Sequence, residues 1–218
     1  MHGLQNPNGM LAIVPHLGTW EIMNAWLNQF GAPTIMYKPV KGEQANQFVL
    51  QGRQRLNATL VPTDATGVKA IFKTLKAGGF SIILPDHVPD PSGGEVVPFF
   101  GIPTLTSTLA SKLASKTKCS LVGLTCVRRD DGQGFDIYCD ELTDPALYDK
   151  NMVTATTAMN HAIERMIGRF PSQYMWGYKR FKRVPGFPVI YNAKPSIAVA
   201  VRQRYPKLSN HDIINSLT

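Results

Sequence analysis

The stretch Met10-Leu-Ala-Ile-Val-Pro-His-Leu-Gly-Thr-Trp-Glu21 changes character in its middle, from six apolar residues to a short segment with a histidine, a glycine and an acid. The apolar half, 10–15, predicts a buried β-strand. Downstream, large apolar residues recur at spacings of three and four, which predicts a helix. They are Trp20, Met23, Trp26, Leu27 and Phe30, and Gly31-Ala-Pro33 ends the helix. A strand that turns into a helix is the elementary unit of an α/β fold.

The same alternation continues along the chain. Strands are predicted at 34–37, 59–62, 80–84, 120–128 and 135–139, and helices at 43–56, 68–77, 104–116 and 152–170. Between them, 88–103 contains four prolines and three glycines, which predicts a loop without regular structure but with a strongly apolar second half. Together these elements predict an α/β fold with a mixed, mostly parallel central sheet flanked by helices.

Composition predicts one globular domain, since the chain has 218 residues and is 44% hydrophobic. Its three cysteines, Cys119, Cys126 and Cys139, fit neither a zinc pattern nor a Cys-x-x-Cys redox motif, which favours buried or free thiols in a reducing compartment.

No run approaches the ~18 apolar residues of a membrane span, and the start lacks a signal-peptide profile. We therefore expect that the chain does not cross a membrane by its own sequence, although it can lie on one.

The formal charge of +8 is concentrated near one end. Residues 178–208 contain no acid and eight basic side chains: Lys179, Arg180, Lys182, Arg183, Lys194, Arg202, Arg204 and Lys207. Such a segment suits an anionic partner: nucleic acid, acidic phospholipid, a phosphorylated glycolipid or an acidic carrier protein. A solvated basic tail is the alternative.

His16 and Glu21 are the candidate chemical pair. A histidine at the carboxyl end of a strand in an open α/β sheet lies where such folds bind ligands, and it can act as a general base when a carboxylate orients it. A turn at Gly18 allows Glu21 to fold back beneath the ring, and Thr19 can cap the helix. Backbone N–H groups of 18–20 would then face a developing oxyanion. A hydrogen-bonded core histidine is the alternative.

Further blocks follow this His-x4-Glu motif in order. They are Met36-Tyr-Lys-Pro39, Gly52-Arg-Gln-Arg55, Leu84-Pro-Asp-His87, Gly94 through Val97-Pro-Phe-Phe-Gly101, and Gln173-Tyr-Met-Trp176 with Lys179-Arg-Phe-Lys182. Their order and spacing resemble the lipid A late acyltransferases (lauroyl and myristoyl acyltransferases), a branch of the glycerolipid acyltransferase superfamily. Other branches usually have Asp where this chain has Glu21. The family usually has Asn where this chain has Thr19, a mild departure.

The resemblance implies a glycerolipid-acyltransferase-like fold and a direct acyl transfer. A hydroxyl of a lipid A precursor would attack the thioester of an acyl-carrier protein, with His16 taking the proton and Glu21 orienting His16. Such a transfer needs no acyl-enzyme, metal or other cofactor. The lack of a Gly-x-Ser-x-Gly elbow and of metal-ligand spacing agrees with this expectation.

Other substrate-binding candidates come with the same resemblance. Gly18 and Thr19 would line the site beside His16. Either Arg53 or Arg55 would hold phosphate or the thioester carbonyl, with a surface arginine as the alternative for each. Asp86 and His87 follow a buried strand and are expected at the active-site edge of the sheet, where Asp86 is favoured over His87.

The apolar loop 94–101 is expected to cover a bound acyl chain, because each buried methylene contributes about 0.8 kcal/mol. The residues expected to contact the acyl chain are Gly94, Pro98, Phe99, Phe100 and Gly101. Ordinary packing of the loop on the core is the alternative. Trp176 and Arg180 belong to an aromatic and basic segment expected at a membrane interface.

The sequence also predicts the domain organisation of the chain, and the family resemblance implies its cellular location. An acyltransferase domain is predicted over 1–193 and a basic tail, partly helical, over 194–218. Family members normally have an N-terminal membrane anchor before the first motif. The expected location is the cytoplasmic face of the bacterial inner membrane, peripheral for the chain as it stands and anchored if such a helix is missing.

Two other functions stay open at this stage. A lysophospholipid acyltransferase would use the same base on a glycerol-phosphate acceptor. A non-catalytic basic module would bind membranes or nucleic acid, although the confinement of charge to one end and the lack of nucleic-acid-binding signatures argue against nucleic acid.

Overall fold

The computed structural model describes residues 2–38, 42–44, 47, 51, 57–186, 191, 199 and 203–204. The chain divides into two compact units. The first consists of Met1–Leu84 and Leu113–Thr143, and the second of Pro85–Lys112 and Asp144–Thr218. The predicted boundary between domain and tail at residue 193 lies among residues outside this description and stays a prediction.

A six-stranded sheet organises the first unit. Its strands are β1 (Met10–Ile13), β2 (Thr34–Tyr37), β3 (Thr59–Pro62), β4 (Phe80–Ile83), β7 (Ser120–Arg128) and β8 (Phe135–Glu141), in the order β3-β2-β4-β1-β7-β8. Neighbouring strands are parallel except at the β7–β8 edge, which is antiparallel. The mixed, mostly parallel α/β sheet is therefore confirmed. All four residues of β1 are buried, as expected for a strand that is covered on both faces.

Two helices of this unit begin and end where local sequence favours it. Helix α1 (Glu21–Leu27) continues into a short 3-10 turn that Gly31 ends with φ 141°. Helix α2 (Ala65–Lys76) begins at Asp64, whose side chain accepts hydrogen bonds from two free backbone N–H groups of the first turn. The α1 face of the sheet buries an apolar core. It includes Met10, Ala12, Val14, Met23, Leu27, Phe80, Ile82, Val122, Leu124 and Cys126.

The second unit contains an antiparallel hairpin packed against a long helix. Strands β5 (Gly94–Phe99) and β6 (Ile102–Ser107) pair along their whole length, and the 18-residue helix α4 (Met152–Arg169) packs on β5. Helix α3 (Leu109–Thr117) contains the boundary between the two units at residues 112 and 113. The predicted helix over 152–170 is confirmed.

The prediction of a loop without regular structure at 88–103 was wrong for its second half. Pro98 pairs directly with Pro103, and the two-residue turn between the strands makes this a pair without ladder hydrogen bonds. Neither missing N–H is needed there, so both prolines are tolerated. The turn itself has positive φ at Phe100 (48°) and Gly101 (77°), the conformation of a type I′ hairpin turn.

The helix predicted at 104–116 also begins too early. Residues 104–107 are the last part of β6, and α3 begins only at Leu109. Thr108 separates the two elements, and its N–H donates to the Gly93 carbonyl. Pairing with β5 thus overrides the helical spacing of this stretch. The helix predicted at 43–56 lies mostly outside the described residues.

Candidate active site

His16 lies three residues beyond β1, at the carboxyl end of a strand that has β4 on one side and β7 on the other. The Val14 N–H donates to the Ile83 carbonyl over 2.9 Å, which extends the pairing of this chain segment with β4. The imidazole is half-buried and meets the Trp20 ring edge to face, with 5.2 Å between centroids. This position at the end of a central strand is the one predicted from sequence.

Gly18 is the residue that makes the turn possible. Its φ is 62°, and a Cβ at this position would lie 2.0 Å from the carbonyl oxygen of Cys126 in β7. The next residue, Thr19, donates its N–H to the same carbonyl over 2.7 Å. Backbone contact with β7 therefore fixes the turn that follows His16, and no other residue type fits at position 18 without displacement.

Two details of this turn differ from expectation. The N-cap of α1 is Trp20, not Thr19, and no side-chain cap is present. The Thr19 N–H is already used by Cys126, so it does not face a developing oxyanion. Glu21 is the first residue of α1 and is exposed, where its negative charge interacts favourably with the helix N-terminus. The pairing of Glu21 with His16 stays a prediction.

A buried polar cluster contains two other predicted residues, both in the second unit. Asp86 is 1% exposed, and the Tyr174 hydroxyl donates to its Oδ2 over 3.1 Å. Burial raises the pKa of Tyr174 well above its ordinary value, and the neighbouring Asp86 carboxylate adds to this shift. Tyr174 therefore stays protonated and available as a donor.

Arg180 completes this cluster from the inside of the second unit. It is 2% exposed, and its two terminal nitrogens donate to the Leu105 carbonyl over 2.8 Å and to the Thr106 hydroxyl over 2.6 Å. Its guanidinium also stacks 4.9 Å from the Phe99 ring centroid. Burial lowers the pKa of Arg180, while Tyr174 and Asp86 oppose that shift. Arg180, which was expected in a segment at the membrane interface, therefore points into the interior of the second unit.

Hairpin residues predicted to cover an acyl chain divide into inner and outer ones. Phe99 is fully buried and lies 4.9 Å from Phe100 and 5.9 Å from Phe181 between ring centroids. Phe100 is half-buried and lies 5.8 Å from Trp176. Pro98 and Gly101 are exposed. Phe99 thus packs in the core, as the alternative of ordinary loop packing predicted, whereas Phe100 keeps part of its ring at the surface.

Gly94 and Trp176 hold this region together by different means. A Cβ at Gly94 would lie 2.6 Å from the Thr106 carbonyl, so close pairing with β6 requires glycine there. The Trp176 indole N–H donates to the Pro171 carbonyl over 2.9 Å, and its ring meets Tyr174 at 4.8 Å. The aromatic rings of Phe100, Trp176 and Tyr174 therefore form one continuous contact chain that ends at Asp86.

The remaining predictions have simpler outcomes. His87 is half-buried next to Asp86. Arg53 and Arg55 lie outside the described residues, so their roles stay predictions. Lys179, Lys182 and Arg183 are exposed in the aromatic and basic segment, where the Lys182 ammonium lies 5.9 Å from the Tyr178 ring centroid. Three of the four cations there thus face solvent.

Sequence reasoning missed Tyr174, Glu164 and Asn160 as site-shaping residues. Tyr174 lies in a quoted motif, but its bond to Asp86 joins residues 88 positions apart. Glu164 and Asn160 hold the hairpin from α4. Their four-residue spacing on one helix face was the available signal.

The described part of the chain contains neither a metal-binding cluster nor a membrane-spanning helix. No cluster of three His, Cys, Asp or Glu side chains there has the geometry of a metal site. Within the same residues, no helix is both long and apolar enough to span a bilayer.

Comparison with known proteins places the chain in a family. Residues 2–183 match the family described as bacterial lipid A biosynthesis acyltransferase. The chain is 31% identical over 189 residues to the lipid A biosynthesis lauroyltransferase of Escherichia coli (strain K12), covering 84% of this chain and 60% of that protein. It is 25% identical over 183 residues to the palmitoleoyltransferase of the same organism, covering 84% of this chain and 58% of that protein.

A third relative carries a different name. The phosphatidylinositol mannoside acyltransferase of Mycobacterium tuberculosis (strain CDC 1551 / Oshkosh) is 26% identical over 134 residues, which cover 60% of this chain and 42% of that protein. The chain spans about 60% of the length of the lipid A relatives it matches. A match that extends from residue 2 to residue 183 includes both units and every described site residue, and so the chain belongs to the bacterial lipid A biosynthesis acyltransferase family.

Proposed function

We propose that the chain transfers a fatty-acyl group to a hydroxyl of a lipid A precursor, with His16 as general base. The observation that carries the proposal is the place of His16, half-buried at the carboxyl end of the central strand β1. Parallel α/β sheets present their reactive groups at this end of the strands. The Gly18 turn, which the Cys126 carbonyl fixes, holds the histidine there.

The transfer itself is a substitution at a thioester carbonyl. His16 takes the proton of the acceptor hydroxyl as its oxygen forms a bond to the carbonyl carbon. The C–S bond then breaks, and the departing thiolate takes the proton from the imidazolium. Glu21 stabilises the imidazolium and selects the ring tautomer. A Glu21 at the start of α1, five residues beyond His16 and across the Gly18 turn, supports this role.

The acceptor and the acyl chain are proposed from the relatives, and the donor from the charge of the exposed surface. The names of two relatives specify lauroyl and palmitoleoyl transfer in lipid A biosynthesis, which supports a lipid A precursor as acceptor and a medium or long acyl chain as cargo. We take acyl-carrier protein as the donor, because the exposed cations Lys179, Lys182 and Arg183 suit an acidic partner. The same cations suit the anionic cytoplasmic face of the inner membrane.

The test uses the full-length protein in membranes, with acyl-carrier-protein thioesters as donors and a lipid A precursor as acceptor. His16→Ala and Glu21→Ala should each lower the rate by at least about 100-fold, the contribution of a positioned general base. His161→Ala and Glu141→Ala are matched controls, since both side chains are exposed on other elements. Wild-type rates in the His16→Ala variant would refute the proposal.

A second acceptor class is separated in the same assay. Lysophosphatidic acid and a phosphatidylinositol mannoside are offered together with the lipid A precursor. The first tests the lysophospholipid acyltransferase alternative, and the second is included because one relative is named for the mannoside. Preferred transfer to the lipid A precursor supports the proposal. Preferred transfer to the glycerol phosphate would instead assign the chain to lysophospholipid acylation.

A further inference from the structure

The turn at the tip of the β5–β6 hairpin holds a bulky residue in a conformation that bulky residues avoid. Phe100 has φ 48°, in the left-handed region. The first central position of a type I′ turn normally belongs to Asn, Asp or Gly, because a large side chain is strained there. Strain of this kind persists where the surrounding structure enforces it, and it concentrates at ligand-contacting sites.

Helix α4 supplies the groups that enforce this turn. Glu164 accepts the Phe100 N–H at Oε1 over 2.7 Å. One helical turn earlier, the Asn160 amide donates to the Pro98 carbonyl over 2.7 Å and to the Thr106 hydroxyl over 3.3 Å. The two side chains lie four residues apart and so share one face of the helix. The turn and both strands of the hairpin are thereby bound to α4.

The turn displays an apolar surface. Phe100 and Trp176 are half-buried and in ring contact, and Met175 next to Trp176 is 38% exposed. On the outer face of β5, Val96 is 47% exposed and Pro98 is exposed as well. Folding of the hairpin does not require these groups at the surface, whereas a ligand with a hydrocarbon chain gains from them.

We propose that Glu164 is a positioning residue, which holds the Phe100 turn so that the Phe100 ring contacts the acyl chain of the donor and thereby sets which chain lengths are transferred. This inference rests on the proposed acyl transfer. Phe100 is the specificity-determining residue of the pair, and Glu164 acts through it. The half-buried Glu164 carboxylate suits this role, because a charged acceptor makes a stronger hydrogen bond to an N–H than a neutral one does.

The experiment uses the full-length enzyme with an equimolar mixture of acyl-carrier proteins that carry a short, a medium and a long saturated chain. Mass spectrometry of the product lipid gives the ratio of chains transferred. Glu164→Leu, which cannot accept the hydrogen bond, should change that ratio on the order of tenfold and should raise the donor KM more than it lowers kcat. Glu164→Gln keeps an acceptor oxygen and should retain the wild-type ratio.

Phe100→Asn separates selectivity from stability. Asn suits this turn position, so the variant should unfold at the same or a higher denaturant concentration than the wild type, yet it should change the chain ratio as Glu164→Leu does. Glu141→Leu, at an exposed carboxylate on β8, is the control and should leave the ratio unchanged.

The outcomes are distinct. An unchanged ratio in Phe100→Asn, or an equal rate loss for all three donors in Glu164→Leu, overturns the inference while acyl transfer stands. An equal change in Glu164→Gln and Glu164→Leu also overturns it, because the N–H acceptor would then not be the cause. If the wild-type enzyme transfers none of the chains, the proposed function fails and the inference fails with it.

Discussion

Tyr174 donates a hydrogen bond to Asp86 across 3.1 Å, and both side chains are buried in the second unit. Arg180 is buried in the same cluster, where its guanidinium is bound to backbone and hydroxyl oxygens of β6. Buried charges are tolerated when they are paired and hydrogen-bonded, and they become costly when one partner is removed.

Tyr174→Phe removes the hydroxyl donor and keeps the ring. The free energy of unfolding should fall by about 1.5–3 kcal/mol, the usual range for a hydrogen bond to a charged group. Urea titration followed by fluorescence measures it. An unchanged midpoint and slope would mean that this bond contributes nothing to stability.

Arg180→Met replaces the buried guanidinium with an apolar chain of similar length. The Leu105 carbonyl and the Thr106 hydroxyl lose their donor, and Asp86 loses a nearby positive charge. We expect a loss of about 3–5 kcal/mol. Lys182→Met, at an exposed cation in the same segment, should change stability by less than about 0.5 kcal/mol. Equal effects of the two substitutions would contradict the inward placement of Arg180.

Gly18→Ala and Gly132→Ala test the turn after His16. Both glycines have positive φ, 62° and 70°, but a Cβ at Gly132 meets no atom within 4 Å, whereas at Gly18 it meets the Cys126 carbonyl. Gly132→Ala should cost about 1–2 kcal/mol of unfolding free energy. Gly18→Ala should cost a further ~1–3 kcal/mol for the overlap and lower acyl transfer on the order of 100-fold by displacing His16. Equal stability of the two variants would show that the contact with β7 is not limiting.

Glu164 should make stability depend on pH with a definite sign. Burial raises the pKa of this carboxyl above its ordinary value, and the hydrogen bond from the Phe100 N–H partly opposes this shift. Between the ordinary and the raised pKa, the folded protein binds more protons than the unfolded chain, so stability from this group is lost as pH rises. The stability of Glu164→Gln relative to wild type should therefore increase as pH rises from about 4 to neutrality in a series of denaturant titrations. A constant difference would contradict the shift.

Cysteine accessibility offers a test that needs no substrate. Cys119 and Cys126 are buried and Cys139 is exposed. Partial desolvation of its sulfur raises the pKa of the Cys139 thiol, and the adjacent Asp140 adds to the shift. Native protein should therefore add one maleimide slowly, at Cys139, and denatured protein should add three. Peptide mass spectrometry identifies the site, and a second label on folded protein would contradict the buried positions.

Local sequence was sufficient for β1, the Gly18 turn and α1. A run of apolar residues, one glycine and a helical spacing are short-range signals, and the structure places these elements as predicted. Family membership was equally accessible, because it depends on ordered motifs along the chain, and the comparisons confirm it.

Long-range pairing decided the rest. Whether Pro98 and Pro103 break a strand depends on their register, which a list of residues does not contain. The use of the Thr19 N–H by Cys126 depends on a strand more than a hundred residues away. The orientation of Arg180 likewise depends on β6, whose oxygens accept hydrogen bonds from its two terminal nitrogens inside the second unit. Motifs show which residues this protein has for its chemistry. The packing of distant segments determines which of their polar groups make hydrogen bonds within the protein and which are left to contact a substrate.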